Sequence, residues 1–161
     1  MRVAKLLPLV AAGGLAVLYA ASAGGIHWTA PANWKTEAAR PMRAATYTVG
    51  EGAECVVYYF GPGQGGSVDA NLKRWVGQFQ PADGKPVEGT ETIHGLKVAT
   101  LEVSGTYSGG MGAPGSKPHY RLLGAIVEAP EGPVFFKFTG PEKVVTAHQR
   151  EFRSMLATVA K

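Results

Sequence analysis

The chain has 161 residues, with sixteen Lys and Arg against twelve Asp and Glu, and a single cysteine. That length suits one domain able to bury about two-thirds of its unfolded surface, and a lone cysteine cannot close an internal disulfide. The net charge of +4 is not gathered into a basic run, so the pattern argues against nucleic acid as a partner.

Residues 1–23 read as a secretory signal peptide. Arg2 and Lys5 precede the uncharged apolar run Leu6–Ala20, and Ala21-Ser22-Ala23 places small residues at the −3 and −1 positions. Pro8 and Gly13-Gly14 interrupt that run, whereas a membrane helix needs about 20 unbroken apolar residues. The expectation is cleavage after Ala23, a periplasmic or secreted location, no stable membrane insertion afterwards, and a single domain over 24–161. Retention as an uncleaved anchor is the competing expectation. Loss of Arg2 and Lys5 lowers the net charge to +2.

In the mature chain, Trp28 and Trp34 flank Pro31 and are expected to dock the amino-terminal segment on the core. Strands are predicted over Arg43–Val49 and Glu54–Phe60, split by Gly50-Glu51-Gly52. Cys55 opens the apolar run of the second and is expected as a buried, inert thiol. The period then changes. Val68, Leu72, Trp75, Val76 and Phe79 share one arc of a helix, with Ser67 placed to cap it and Asp69 in its first turn. Strands return at Glu91–His94 and Lys97–Tyr107, and 108–118 reads as a glycine-rich surface loop. Tyr120–Glu128 and Val134–Thr139 pair across Pro130–Pro133, the first apolar on both faces and therefore central in its sheet. A second helix is predicted from about Pro141 to Ala160. Together these imply an α+β fold: a mostly antiparallel sheet of about six strands with two helices packed on it.

The order of elements resembles the PsbP-like sandwich. An amino-terminal segment with Pro31 and Trp34 leads to a strand beginning Met42-Arg43-Ala44, then a tryptophan-bearing helix after a glycine loop, an antiparallel meander and a carboxy-terminal helix. That α/β/α fold is shared by thylakoid oxygen-evolving accessory proteins, a Ran-binding nuclear import factor and DcrB-type bacterial lipoproteins. The runs Tyr59–Ser67 and Phe135–Pro141 are more similar to a group of exported bacterial proteins of uncharacterised role. The resemblance implies a binding or accessory protein without catalysis. It transfers no catalytic residue, and the lipid-bearing cysteine of the lipoproteins has no counterpart here.

Among the motifs, Gly61, Gly63 and Gly66 satisfy G-x-G-x-x-G between a strand and a helix. The flanking strands read as hairpin-paired, Pro62 removes an N–H from the cradle, and Gly66 stands where a P-loop has lysine. A tight structural turn is therefore expected, with an anion site at the helix start as the alternative. His27, His94, His119 and His148 form no metal-binding spacing. Only cleavage after Gly24 would place His27 third in the chain, where an amino-terminal copper or nickel site uses it. No G-x-S-x-G elbow occurs, and Asp69, Glu88, Glu91 and Glu102 are scattered. No catalytic residue, metal or cofactor is assigned. The expected function is an exported, non-enzymatic binding or accessory domain acting through a protein or envelope partner. The alternative is a small-ligand or anion binder at Gly61–Ser67. The residues expected at the working surface are Gly63, Gly65, Gly66, Ser67, Tyr107 and Met111.

Overall fold

Alternation of apolar and polar residues along the strands decides the layering of the computed structural model, which describes residues 20–109 and 115–161. In chain order the elements are β1 (Ala20–Ala23), β2 (Ile26–Thr29), β3 (Lys35–Thr36), β4 (Arg43–Val49), β5 (Ala53–Tyr59), α1 (Val68–Val76), β6 (Phe79–Ala82), β7 (Val87–Ile93), β8 (Leu96–Tyr107), β9 (Lys117–Val127), β10 (Val134–Pro141), α2 (Glu142–Ala147) and α3 (Gln149–Ala157). An eight-stranded sheet runs β3-β4-β5-β10-β9-β8-β6, with β7 also paired to β8. Its pairings are antiparallel throughout.

The α+β sandwich and the central place of β9 agree with the sequence. Two details differ. The sheet gains the short strands β3 and β6, where a two-residue length or an internal proline hides the period-two pattern. The carboxy-terminal helix is two helices, because His148 leaves the helical region at φ −102° and ψ 8°. The second ends at Ala157, and Ala160 bridges to His27 instead.

One sheet face carries Val57, Ala125, Phe136 and Phe138, covered by Val145, Phe152, Met155 and Leu156 of α2 and α3 and by Ile26 and Trp28 of β2. Trp28 is wholly buried, with its ring edge-on to Phe136 and its Nε1 donating to Tyr47 Oη at 3.0 Å. Trp34 packs on Phe138, so both tryptophans anchor the amino-terminal segment as expected. Cys55 is fully buried on this face, and burial pushes its thiol far above the ordinary value. The opposite face carries Leu101, Val103, Leu122, Ile126 and Phe135 beneath Leu72 and Trp75 of α1.

Helix α1 starts as predicted, with Ser67 Oγ accepting from the Ala70 N–H at 3.2 Å. It stops at Val76, and Phe79 belongs to β6. At the amino terminus, Ala20–Ala23 pairs with Ile26–Thr29 across Gly24-Gly25, so the expected cleavage point falls at that turn. The remainder of the predicted signal segment, 1–19, lies outside the described residues.

Candidate functional site: a basic and aromatic groove

Helix α1 packs over β8 and β9, leaving the same sheet face open across β4, β5 and β10. The result is a groove of about 660 Å³ whose lining includes Arg43, Tyr58, Arg74, Gln78, Tyr107, Lys117, Tyr120 and Lys137. A volume of that order is typical of small-ligand sites. Strand alternation explains why these side chains meet. On β10, Val134, Phe136 and Phe138 go to the helix-covered core, while Phe135, Lys137 and Thr139 line the groove. Pairing sets Tyr58 opposite Phe135, and Tyr107 opposite Lys117 near the Tyr120–Gly105 pair.

The aromatic rings form two stacks. Tyr107 and Tyr120 lie 5.8 Å apart and nearly parallel, and Tyr58 and Phe60 lie 6.0 Å apart at 9°. Cations sit over three of the rings: Arg43 over Tyr58, Lys117 over Tyr120 and Lys137 over Tyr107, at 5.4–5.8 Å from the centroids. Burial pushes the Tyr58 and Tyr107 phenols above their ordinary value.

Lys137 is the unusual member. Its Nζ donates to Gln78 Oε1 at 2.7 Å and lies 3.4 Å from Tyr107 Oη. Among the described residues no carboxylate lies within ion-pairing distance of it. Burial lowers its ammonium to about 8, with Arg74 and Arg43 pushing the same way and Glu54 opposing them. Among the described residues Glu54 is the one acidic lining residue, and it is 3.6 Å from Arg43. Thr139 Oγ1, also in the lining, is buried without a hydrogen-bond partner among the described residues.

The residues expected from sequence are not brought together. Tyr107 lines the groove. Gly63, Gly65, Gly66 and Ser67 form the turn into α1, outside the lining. All three glycines have positive φ, and a Cβ on Gly65 would meet the Phe135 and Phe60 rings at 2.9–3.0 Å. Asn71 Nδ2 donates to the carbonyls of Gly65 and Ser67 at 2.7 and 2.8 Å. The loop is therefore held by the protein itself, the tight turn expected first. Met111 lies outside the described residues. His27 uses its backbone N–H to bond Ala160 O at 2.9 Å, which occupies the amide an amino-terminal copper site would need. Sequence reasoning missed Arg43, Arg74, Gln78 and Lys137. The available signal was Lys137 itself, a lone cation inside the aromatic run Phe135–Phe138.

No family model matches the chain, and no curated protein matches it either. Among solved structures, it is similar to the cyanobacterial PsbP protein CyanoP of Synechocystis sp. PCC 6803, with a TM-score of 0.58 at 13% identity over 96% of this chain and 98% of that one. PA94 of Pseudomonas aeruginosa, a protein of unknown function, aligns with a TM-score of 0.49 at 12% identity, over 89% of this chain and 96% of that one. The first likeness establishes the PsbP-like fold that the order of elements implied.

Proposed function

We propose that this chain is an exported, non-catalytic binding domain of accessory type, and that its groove takes a small ligand bearing a carboxylate or phosphate. The observation that carries the reading is the charge imbalance in one concave site. Among the described residues, Arg43, Arg74, Lys117 and Lys137 line it against Glu54 alone. A desolvated ammonium beside guanidinium groups is electrostatically unfavourable until an anion joins it. The stacked tyrosines give a flat apolar part of the ligand a surface to lie on. The Gly61–Ser67 turn supports binding less well, because Asn71 already satisfies its carbonyls. Export rests on the amino-terminal sequence pattern.

Thermal unfolding in the presence of pyrophosphate and benzoate tests the reading. A ligand at a hundred times its Kd adds about 2.7 kcal/mol of stability, so a clear rise in Tm at millimolar concentration is expected. The rise should shrink in Arg74→Gln and in Lys137→Met. An unchanged Tm with both anions, or equal rises in wild type and Lys137→Met, would overturn it.

A further inference from the structure

We infer that Lys137 captures carbonyl compounds: an oxo acid seated in the groove, its carboxylate against Arg43 and Arg74, is held on Nζ as a Schiff base. The placement of the carboxylate rests on the anion-binding reading above; the capture itself rests on the surroundings of the amine. A neutral amine has two N–H bonds, and two acceptors face Nζ, Gln78 Oε1 at 2.7 Å and Tyr107 Oη at 3.4 Å. With both N–H bonds directed there, the lone pair is left for the groove.

The charged groups around the amine favour that neutral form. Arg74 of α1 and Arg43 of β4 oppose a third positive charge, and burial removes the water that would solvate it. Glu54 of β5 acts the other way but more weakly than burial and Arg74 combined, and it is drawn to Arg43. Tyr58 and Tyr107 bring no charge, since burial holds their phenols protonated. Lys117 sits over Tyr120, with no ion-pair partner among the described residues.

The chemistry is balanced without an oxidant or reductant. The nitrogen lone pair attacks the carbonyl carbon, forming a C–N bond as the C=O π bond opens. A proton moves from nitrogen to the new alkoxide, giving a carbinolamine. The Tyr107 hydroxyl, already beside Nζ, is placed to protonate the departing hydroxyl, which leaves as one water. Nitrogen's remaining proton returns to the phenolate, restoring the Tyr107 hydroxyl, and the neutral imine remains.

Pyridoxal 5′-phosphate, an anionic aromatic aldehyde, serves as the probe, with cyanoborohydride to fix any imine and peptide mass spectrometry to locate it. Lys35 and Lys73 are the internal comparison, because their side chains are 76% and 74% exposed. At pH 7.5 and substoichiometric aldehyde, Lys137 should carry at least about ten times the label of either. That advantage should narrow towards pH 10 as the exposed amines also deprotonate. Even labelling of the three lysines would overturn the inference, as would absence of label on Lys137. Repetition with excess inorganic phosphate separates this inference from the one it rests on. Suppressed labelling of Lys137 upholds both. Undiminished labelling upholds capture and removes the anchoring role of Arg43 and Arg74. An anion-dependent Tm rise that requires Lys137, without label on Lys137, upholds anion binding and overturns capture.

Discussion

The Trp75 indole lies on the backbone of Gly124, so closely that a Cβ at Gly124 would fall 2.6 Å from Trp75 Cζ3. Gly124 sits in the middle of β9, paired with Leu101 on one side and Lys137 on the other. The missing side chain lets α1 settle low on the sheet, and Trp75 thereby becomes a wall of the groove next to Lys137.

Gly124→Ala should therefore cost on the order of 1–3 kcal/mol, because the indole and its helix must move outward from a packed site. Urea unfolding monitored by circular dichroism gives the stability, and tryptophan emission reports the displacement. A loss below about 0.5 kcal/mol with unchanged emission would mean that the contact is not tight in solution.

A second set of contacts joins the amino-terminal segment to α3. The Glu151 carboxylate receives Asn33 Nδ2 at 2.9 Å and Trp34 Nε1 at 2.7 Å, and lies 2.6 Å from His148 Nδ1. Burial works against the charged carboxylate, but the hydrogen bonds from His148, Trp34 and Asn33 together outweigh it and hold Glu151 below the usual carboxylate range. A carboxyl depressed in the folded state contributes stability above its ordinary value near 4.5, and that contribution fades as pH falls through the lower folded value. Glu151→Ala should lose about 1–2 kcal/mol at pH 7, leaving the Trp34 indole N–H without its acceptor. The gap between variant and wild type should close in acid titrations of Tm; a gap independent of pH would exclude the carboxylate as its source.

The fold was more legible than the site because the two depend on different ranges of information. Local period exposed α1 and its Ser67 cap, and double-sided hydrophobicity placed β9 at the centre. The groove depends on register. Tyr58 and Tyr107 are 49 residues apart in the chain and Lys137 a further 30, and only the pairing of β5, β10, β9 and β8 brings them to one face. The glycine loop attracted attention because its motif is contiguous, yet its glycines answer a backbone need: positive φ and close approach to Phe135. Short strands such as β3 left no pattern to read.

The β1–β2 hairpin bears on processing. Ala21 and Ala23 pack against the core beside Ile26 and Trp28, and Gly24 O accepts from the Glu131 N–H at 3.0 Å. Cleavage after Ala23 would remove β1 and keep Trp28 with its bond to Tyr47. A chain starting at Gly24 is therefore expected to fold, with a stability about 1–2 kcal/mol below that of a chain starting at Ala20, given the few small side chains lost. Denaturant titration of the two chains checks this, and mass spectrometry of the exported protein gives the start that cells produce. Failure of the shorter chain to fold would show that β1 is indispensable and would argue against that cleavage point.

Lys137 sets the last expectation, because a site arranged for an anion carries a cost while empty. Its ammonium is held near 8 in the folded protein against 10.5 ordinarily, so between those values the unfolded chain binds more protons and folding stability rises with pH. Lys137→Met removes the buried charge along with the hydrogen bond to Gln78. Each tenfold change in proton affinity corresponds to about 1.4 kcal/mol and a lost hydrogen bond to about 1 kcal/mol. The variant is thus expected to be more stable than wild type at pH 7 by on the order of 2–3 kcal/mol, with anion binding weakened. Above pH 8 that advantage should decline, and by about pH 10.5 the wild type should equal or exceed the variant, since it keeps the Gln78 contact without a charge to bury. Paired denaturation curves from pH 6 to 10.5 decide the matter: a constant difference across the range would show that Lys137 is solvated in the folded protein, and would remove the electrostatic basis for reading the groove as an anion site.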